Sequence, residues 1–176
     1  MKKLKNPKLT SRMKLFLEFT LKGEDFWDIC CDHGYVGIGA LKSKDYSNIH
    51  FVDQVPQIMD RLSQLLKQTF VNLDEINCHL HVLPGESLDE EINGNVLIAG
   101  VGGLTIKTIL DTLLQNNKLK AKRIILSPHT DEAVLINYML SVEFQNFYKI
   151  NSKEKYLEVK KCRNVYILDA YQSNSF

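Results

Sequence analysis

The sequence predicts an α/β fold built on a doubly wound, mostly parallel sheet, and three observations carry that reading. Short apolar runs alternate five times with helix-periodic segments across short loops. In Phe26-Trp27-Asp28-Ile29-Cys30-Cys31-Asp32-His33-Gly34-Tyr35, an apolar run ends in a carboxylate and a tight turn, and a new periodic segment starts at Tyr35. A second acid, Asp53, closes the next run about twenty residues on, where a nucleotide-binding unit places the carboxylate that grips a ribose. Together they describe a Rossmann-like unit for a nucleoside-containing cofactor, with backbone N–H groups of the first helix facing the ligand.

The elements follow in order. Leu9, Met13, Phe16, Leu17 and Thr20 share one face of a helix over about residues 9–21, with Arg12 and Lys14 on other sides and Gly23 ending it. Strand one spans about Phe26–Cys31, and a helix follows over about Val36–Ser43. Strand two is Ile49–Asp53. Pro56 opens the next helix, whose stripe of Ile58, Leu62, Leu65, Leu66 and Thr69 runs to about Phe70. Cys78–Leu83 alternates as a short strand and stops at Pro84-Gly85. Strand four, Val96–Ala99, closes at Gly100-Val101-Gly102-Gly103, and its helix carries Ile106, Ile109, Leu110, Leu113 and Leu114. Strand five, Arg123–Leu126, stops at Ser127-Pro128 before a helix over about Asp131–Leu140. In the tail, Phe144–Ile150, Lys155–Val159 and Val165–Ala170 read as strand with no helix between them, and Lys160–Asn164 as a turn. An antiparallel hairpin therefore completes a seven-stranded sheet.

A chain of 176 residues is the size of one domain, with a basic helical segment over residues 1–22 packed on a body of residues 23–176. No apolar run approaches the roughly 20 residues of a membrane span, and the lysine-rich start leads into no apolar signal core. Cys30, Cys31, Cys78 and Cys162 form neither a disulfide framework nor a C-x-x-C pair. A cytoplasmic, membrane-free protein is the expectation. Charge is uneven: Lys and Arg outnumber Asp and Glu 7 to 1 in residues 1–22 and 10 to 6 in residues 118–176, but are outnumbered 5 to 14 between them. An acidic centre with basic flanks fits either a solvated surface or a rim for a polyanion such as RNA. His79 and His81 share one face of a short strand without a third ligand, so no metal site is expected.

In this architecture ligands bind above the strand ends, near the switch point between strands one and four. The turns falling there offer carboxylates, glycine backbone and one imidazole, but no Lys or Arg. Neither G-x-G-x-x-G nor a Walker lysine motif occurs. A phosphate-free, acidic pocket suits S-adenosylmethionine, whose sulfonium and α-amino groups are positive and whose ribose presents a diol.

These segments resemble the class I S-adenosylmethionine-dependent methyltransferases, and more closely the bacterial tRNA adenine-22 N1-methyltransferase family. Leu9-Thr10-Ser11-Arg12, Asp28-Ile29-Cys30-Cys31-Asp32-His33-Gly34-Tyr35, Gly85-Glu86-Ser87-Leu88, Ile98-Ala99-Gly100-Val101-Gly102-Gly103 and Leu126-Ser127-Pro128-His129 match that family's L-S-x-R, D-I-G-T/S-D-H-A/G-Y, G-D-G-L, I-A-G-M-G-G and L-Q-P-N in the same order. Cys30 stands in place of the first loop glycine, Glu86 and Ser87 in place of Asp and Gly, and His129 in place of Asn. The family's C-terminal helical extension, linked to tRNA recognition, is not expected in this chain.

The resemblance implies cofactor contact at Asp28, Cys30, Cys31, Asp32, His33, Gly34, Asp53, Gln54, Gly85, Glu86, Ser87 and Gly100. It implies substrate contact at Lys8, Arg12, Gly102, Gly103 and Pro128, with Asp32, His33 and His129 nearest the chemistry. The implied substrate is a tRNA or other structured RNA, with a second copy or helper subunit supplying the missing grip. Adenine N1 carries a free lone pair, so its methylation needs positioning rather than a strong base. The (Asn/Asp)-Pro-Pro-aromatic motif of exocyclic-amine methylation is absent. A methyltransferase for a small molecule or protein, and a catalytically silent binding module, are the competing readings. Tyr35, Phe51 and Phe147 are assigned to the core.

Overall fold

Residues 8–70, 76–158 and 161–171 are described by a computed structural model. Within them run α1 (Ser11–Glu18), β1 (Phe26–Ile29), α2 (Tyr35–Ser43), β2 (Ile49–Val52), α3 (Pro56–Thr69), β3 (Cys78–His81), β4 (Ile92–Ala99), α4 (Gly103–Gln115), β5 (Leu119–Ser127), α5 (Glu132–Met139), α6 (Val142–Gln145), β6 (Tyr148–Glu158) and β7 (Lys161–Ala170). The seven strands form one sheet in the order β3-β2-β1-β4-β5-β7-β6. β1 pairs in parallel with both β2 and β4, so strand order reverses there and a crevice opens above their C-terminal ends. β7 runs antiparallel between β5 and β6.

Central parallel strands are covered on both faces, which is why every residue of β1 and β2 is buried. One face packs Ile106, Ile109, Leu110 and Leu113 of α4, with Leu135 of α5 and Phe144 of α6, against Trp27, Val96 and Ile124. The other packs Phe16, Ile38, Met59, Leu62 and Leu66 of α1–α3 against Phe26, Phe51, Leu97 and Ile125. Each such side chain contributes about 1.5–3 kcal/mol on burial. Asp28 and His50 are the only ionisable residues in β1 and β2, and both are buried.

The first helix is tied to the sheet by polar groups as well. Buried Asn95 accepts the Leu21 N–H at 2.7 Å and donates to the carbonyls of Leu21 (2.9 Å) and Asp25 (3.1 Å), fixing the segment between α1 and β1. Arg123 donates to the Phe19 carbonyl at 2.8 Å while pairing both guanidinium nitrogens with Asp169. Arg12 is thereby held beside the crevice.

The tail departs from the expected pattern. Phe144 belongs to the short α6, capped by Ser141, whose Oγ accepts the Phe144 N–H at 3.3 Å. Tyr148–Ile150 and Lys155–Glu158, expected in two strands, belong to one strand, β6, and Lys161–Asn164 lie in β7 rather than in a turn. Pairing continues to Glu158 opposite Lys161, and residues 159–160 lie outside the described residues, as do Lys2, Lys3 and Lys5. Phe147, assigned to the core, is 53% exposed. β4 and β5 begin earlier than expected, because Asn93, Gly94, Lys120 and Lys122 break the apolar run at sequence level. Among the described residues no helix is long and apolar enough to cross a membrane.

Candidate active site

The turn after β1 is built from unusual backbone. Cys30, Asp32 and Gly34 have φ of 60°, 49° and 65°, so three residues in five are left-handed and fold the chain directly into α2. Only Gly34 adopts that conformation freely; for the other two it costs about 1–2 kcal/mol each. Asp53, one residue past β2, braces this turn. Its Oδ2 accepts the Asp32 N–H at 3.1 Å and its Oδ1 the Val55 N–H at 3.0 Å.

Beneath the turn lies Asp28, 5% exposed, whose Oδ2 accepts the Gly37 N–H at 3.0 Å. A Cβ on Gly37 would stand 2.2 Å from the Phe51 ring, so only glycine lets α2 settle onto β2 and bring that donor to Asp28. Burial pushes the Asp28 carboxyl up to about 7; the Gly37 N–H opposes this and the neighbouring Asp53 charge adds to it. A cation above it would favour the ionised form.

A cleft of about 620 Å³ opens over these groups. Of the residues singled out in the sequence, Asp28, Cys30, Cys31, Asp32, His33, Asp53, Gln54, Gly85, Glu86 and Gly100 line it, with Arg12 and His129 on the opposite wall. Asp28, Asp53 and Glu86 come from three separate segments, and among the described residues Arg12 is the one Lys or Arg in the lining. Asp32 and His33 form an exposed pair, Oδ1 to Nδ1 3.5 Å, beside the cleft.

Six of the expected contacts are not in the lining. Gly34 is turned toward Leu62, Lys8 is exposed ahead of α1, and Pro128 is buried. Ser87 closes the 3-10 turn Gly85–Ser87 through its N–H to the Pro84 carbonyl at 2.9 Å. Gly102 and Gly103 pack rather than forming a floor. A Cβ on Gly103 would lie 2.3 Å from the Asp131 carbonyl, and one on Gly102 2.9 Å from Thr130 Oγ1. Their smallness seats α4 against residues 130–131. Gly100, with open space beside it, and Val101 line the cleft instead.

Cys30 lines the cleft, and burial together with the charges of Asp53, Glu86 and Asp28 pushes its thiol up to about 12. The sulfur stays protonated at neutral pH, which removes it as a nucleophile. Its side chain lines the cleft from a left-handed backbone. Cys30→Gly is expected to raise S-adenosylhomocysteine affinity severalfold in a calorimetric titration. Stability should change by less than about 1 kcal/mol, because relieved strain offsets the added chain entropy of glycine.

The opposite wall joins residues distant in sequence. Arg12 Nη1 is 3.0 Å from His129 Nε2 and 3.5 Å from the Tyr156 hydroxyl, and the guanidinium lies over the Phe16 and Tyr156 rings at 5.8 and 5.9 Å. A guanidinium only donates, so His129 Nε2 is the acceptor and the imidazole is neutral with its proton on Nδ1. The His129 carbonyl accepts from Arg163 at 2.6 Å, and its N–H donates to the Val101 carbonyl at 2.9 Å. The Ser127 and Tyr156 hydroxyls are 3.2 Å apart. Tyr156, Phe16, Met13 and Thr105 carry no motif; they reach this region only through the packing of α1 and β6 and the first turn of α4.

The strand order, the crevice at its reversal and the acid-rich, cation-poor lining define a class I methyltransferase. Residues 9–165 match the profile of the family described as "Methyltransferase domain", and the chain belongs to that family, whose class uses S-adenosylmethionine as methyl donor. Among curated proteins no sequence match was found. Among solved structures, Streptococcus pneumoniae Sp1610, a candidate tRNA (m1A22) methyltransferase, superposes with a TM-score of 0.80 at 20% identity, over 95% of this chain and 72% of that one. It has also been solved with S-adenosyl-L-methionine. The B. subtilis m1A22 tRNA methyltransferase TrmK gives 0.75 at 20% identity, over 93% and 67%. M. capricolum TrmK, in complex with S-adenosylhomocysteine, gives 0.74 at 16% identity, over 93% and 70%. At these identities the likeness establishes the shared fold.

Proposed function

We propose that this chain transfers a methyl group from S-adenosylmethionine to a ring nitrogen of RNA, adenine N1 of a tRNA. The observation that carries the reading is the division of the cleft: Asp28, Asp53 and Glu86 on one side, Arg12 with a neutral His129 on the other. The acidic side fits a cationic ligand that has a ribose diol and no phosphate. Asp28 would meet its positive end, Asp53 its ribose and Glu86 its adenine. When bound, the cofactor would supply an electrophilic methyl group on a sulfonium, with neutral S-adenosylhomocysteine as the leaving group of an in-line displacement. The chain's part is orientation: Gly100 keeps one wall free of side chain, and Phe16 and Tyr156 hold Arg12.

Adenine N1 would attack with its own lone pair, and among the described residues the lining presents no buried carboxylate–imidazole pair to act as base. The base must leave its stack or already be unpaired to reach the methyl group. The known m1A22 tRNA methyltransferases among the structural neighbours support this substrate. Incubation with labelled S-adenosylmethionine and unmodified tRNA is expected to yield N1-methyladenosine on nucleoside analysis. Labelling of protein or small molecules alone would overturn the RNA assignment. S-adenosylhomocysteine binding without any transfer would indicate a silent module.

A further inference from the structure

Outside the cleft, three ionisable side chains converge where the sequence offered only two. His79 and His81 lie in one strand, but the structure joins His81 to His50 of β2 and to Glu90, ahead of β4. His50 Nδ1 is 3.1 Å from His81 Nε2, and His81 Nδ1 is 3.3 Å from Glu90 Oε1. One donor atom from each residue falls within 4.8 Å of the others. We propose that His50, His81 and Glu90 form a binding site for a divalent transition cation of the zinc class.

The donor set suits such an ion, and so does the spacing of the two imidazoles; Glu90 approaches from the side of the other His81 nitrogen, within 4.8 Å. Two ligands on a tetrahedral centre, each roughly 2.0–2.1 Å from it, stand about 3.3 Å apart, close to the His50–His81 separation. Imidazole and carboxylate together suit zinc, cobalt and nickel better than calcium or magnesium. Burial, with His79 and His81 adding to it, pushes His50 down to about 3; burial also lowers His81, against the opposing charge of Glu90. Trp27 stacks on His50 at 3.6 Å and holds its ring plane, while Glu90 remains half-exposed and leaves a route for entry. An ion there would fasten β2 and β3 to the segment after the Gly85–Ser87 turn, which presents Glu86 to the cleft.

The same stack provides the readout. Trp27 is the only tryptophan in the chain, and its ring centroid lies 3.6 Å from His50 and 5.5 Å from His81. Cobalt(II) added to chelator-treated full-length protein is expected to quench Trp27 emission at one ion per chain, and zinc to compete and restore it. His81→Ala should weaken binding by more than about 30-fold and Glu90→Gln by about tenfold, whereas His79→Ala should match wild type. Circular dichroism in chelator checks that each variant is folded, and Glu90→Gln changes only a half-exposed group. No quenching up to about 1 mM cobalt(II), or equal affinity in wild type, His81→Ala and Glu90→Gln, would reduce the cluster to a hydrogen-bonded stack.

Discussion

Asp28→Asn is expected to weaken S-adenosylmethionine binding by roughly 10–100-fold while making the ligand-free protein more stable at pH 8. Asn keeps an acceptor for the Gly37 N–H, 3.0 Å from Asp28 in the wild type, so the turn and α2 should stay in place. What disappears is a buried negative charge. In the folded protein that carboxyl sits at about 7 against an ordinary 3.8, chiefly because of burial. The folded state thus retains a proton that the unfolded chain gives up. Stability from this group is greatest below the unfolded value and is lost as pH rises through about 7. Such a shift is worth on the order of 4 kcal/mol, so Asn should raise the pH 8 unfolding midpoint by several degrees and flatten its pH dependence between about 4 and 7.

The same proton is expected to govern cofactor affinity in the wild type. A cationic ligand favours ionised Asp28, so below pH 7 binding must release the proton. Affinity should then fall by about tenfold per pH unit and level off above pH 7. Calorimetric heats should vary with the ionisation enthalpy of the buffer at pH 6 and not at pH 8.5. Flat affinity from pH 5.5 to 8, together with full binding by Asp28→Asn, would remove Asp28 from the cofactor site.

Asp28 was legible in the sequence because its position is local: a carboxylate in the last apolar strand residues before a tight turn, with Asp53 at the matching place after β2. Parallel pairing of β1 and β2 then brings Asp53 to the turn without further specification. Gly37 was not legible. It looks like any glycine in an apolar helix, and only the Phe51 ring beneath it reveals why no side chain fits. Gly102 and Gly103 mislead in the opposite sense, since a glycine run after a strand suggests ligand approach but here permits helix packing. The histidine cluster shows a third limit. His79 and His81 are adjacent in the pattern, whereas His50 and Glu90 join His81 only through sheet register and a returning loop. The tail is poorly legible because Lys and Glu alternate through β6, an edge strand with little apolar signal.

Arg12→Ala is expected to lower kcat/KM for tRNA methylation by roughly 10–100-fold while S-adenosylhomocysteine affinity changes less than about twofold. Arg12 lies in α1 and lines the cleft itself, beside His129 and Tyr156. If the guanidinium acts by holding neutral His129 toward the substrate, His129→Ala should lose nearly as much, and the double variant little more than either alone. Arg12→Lys separates geometry from charge, because an ammonium cannot reproduce the planar fork that spans both partners. If Arg12 instead contacts a phosphate, Lys should restore most activity. The slope of log binding constant against log salt would then fall by about 0.7–0.9 in Arg12→Ala. Unchanged methylation in Arg12→Ala would take this wall out of substrate recognition and return the RNA surface to the basic residues of α1 and the β6–β7 hairpin.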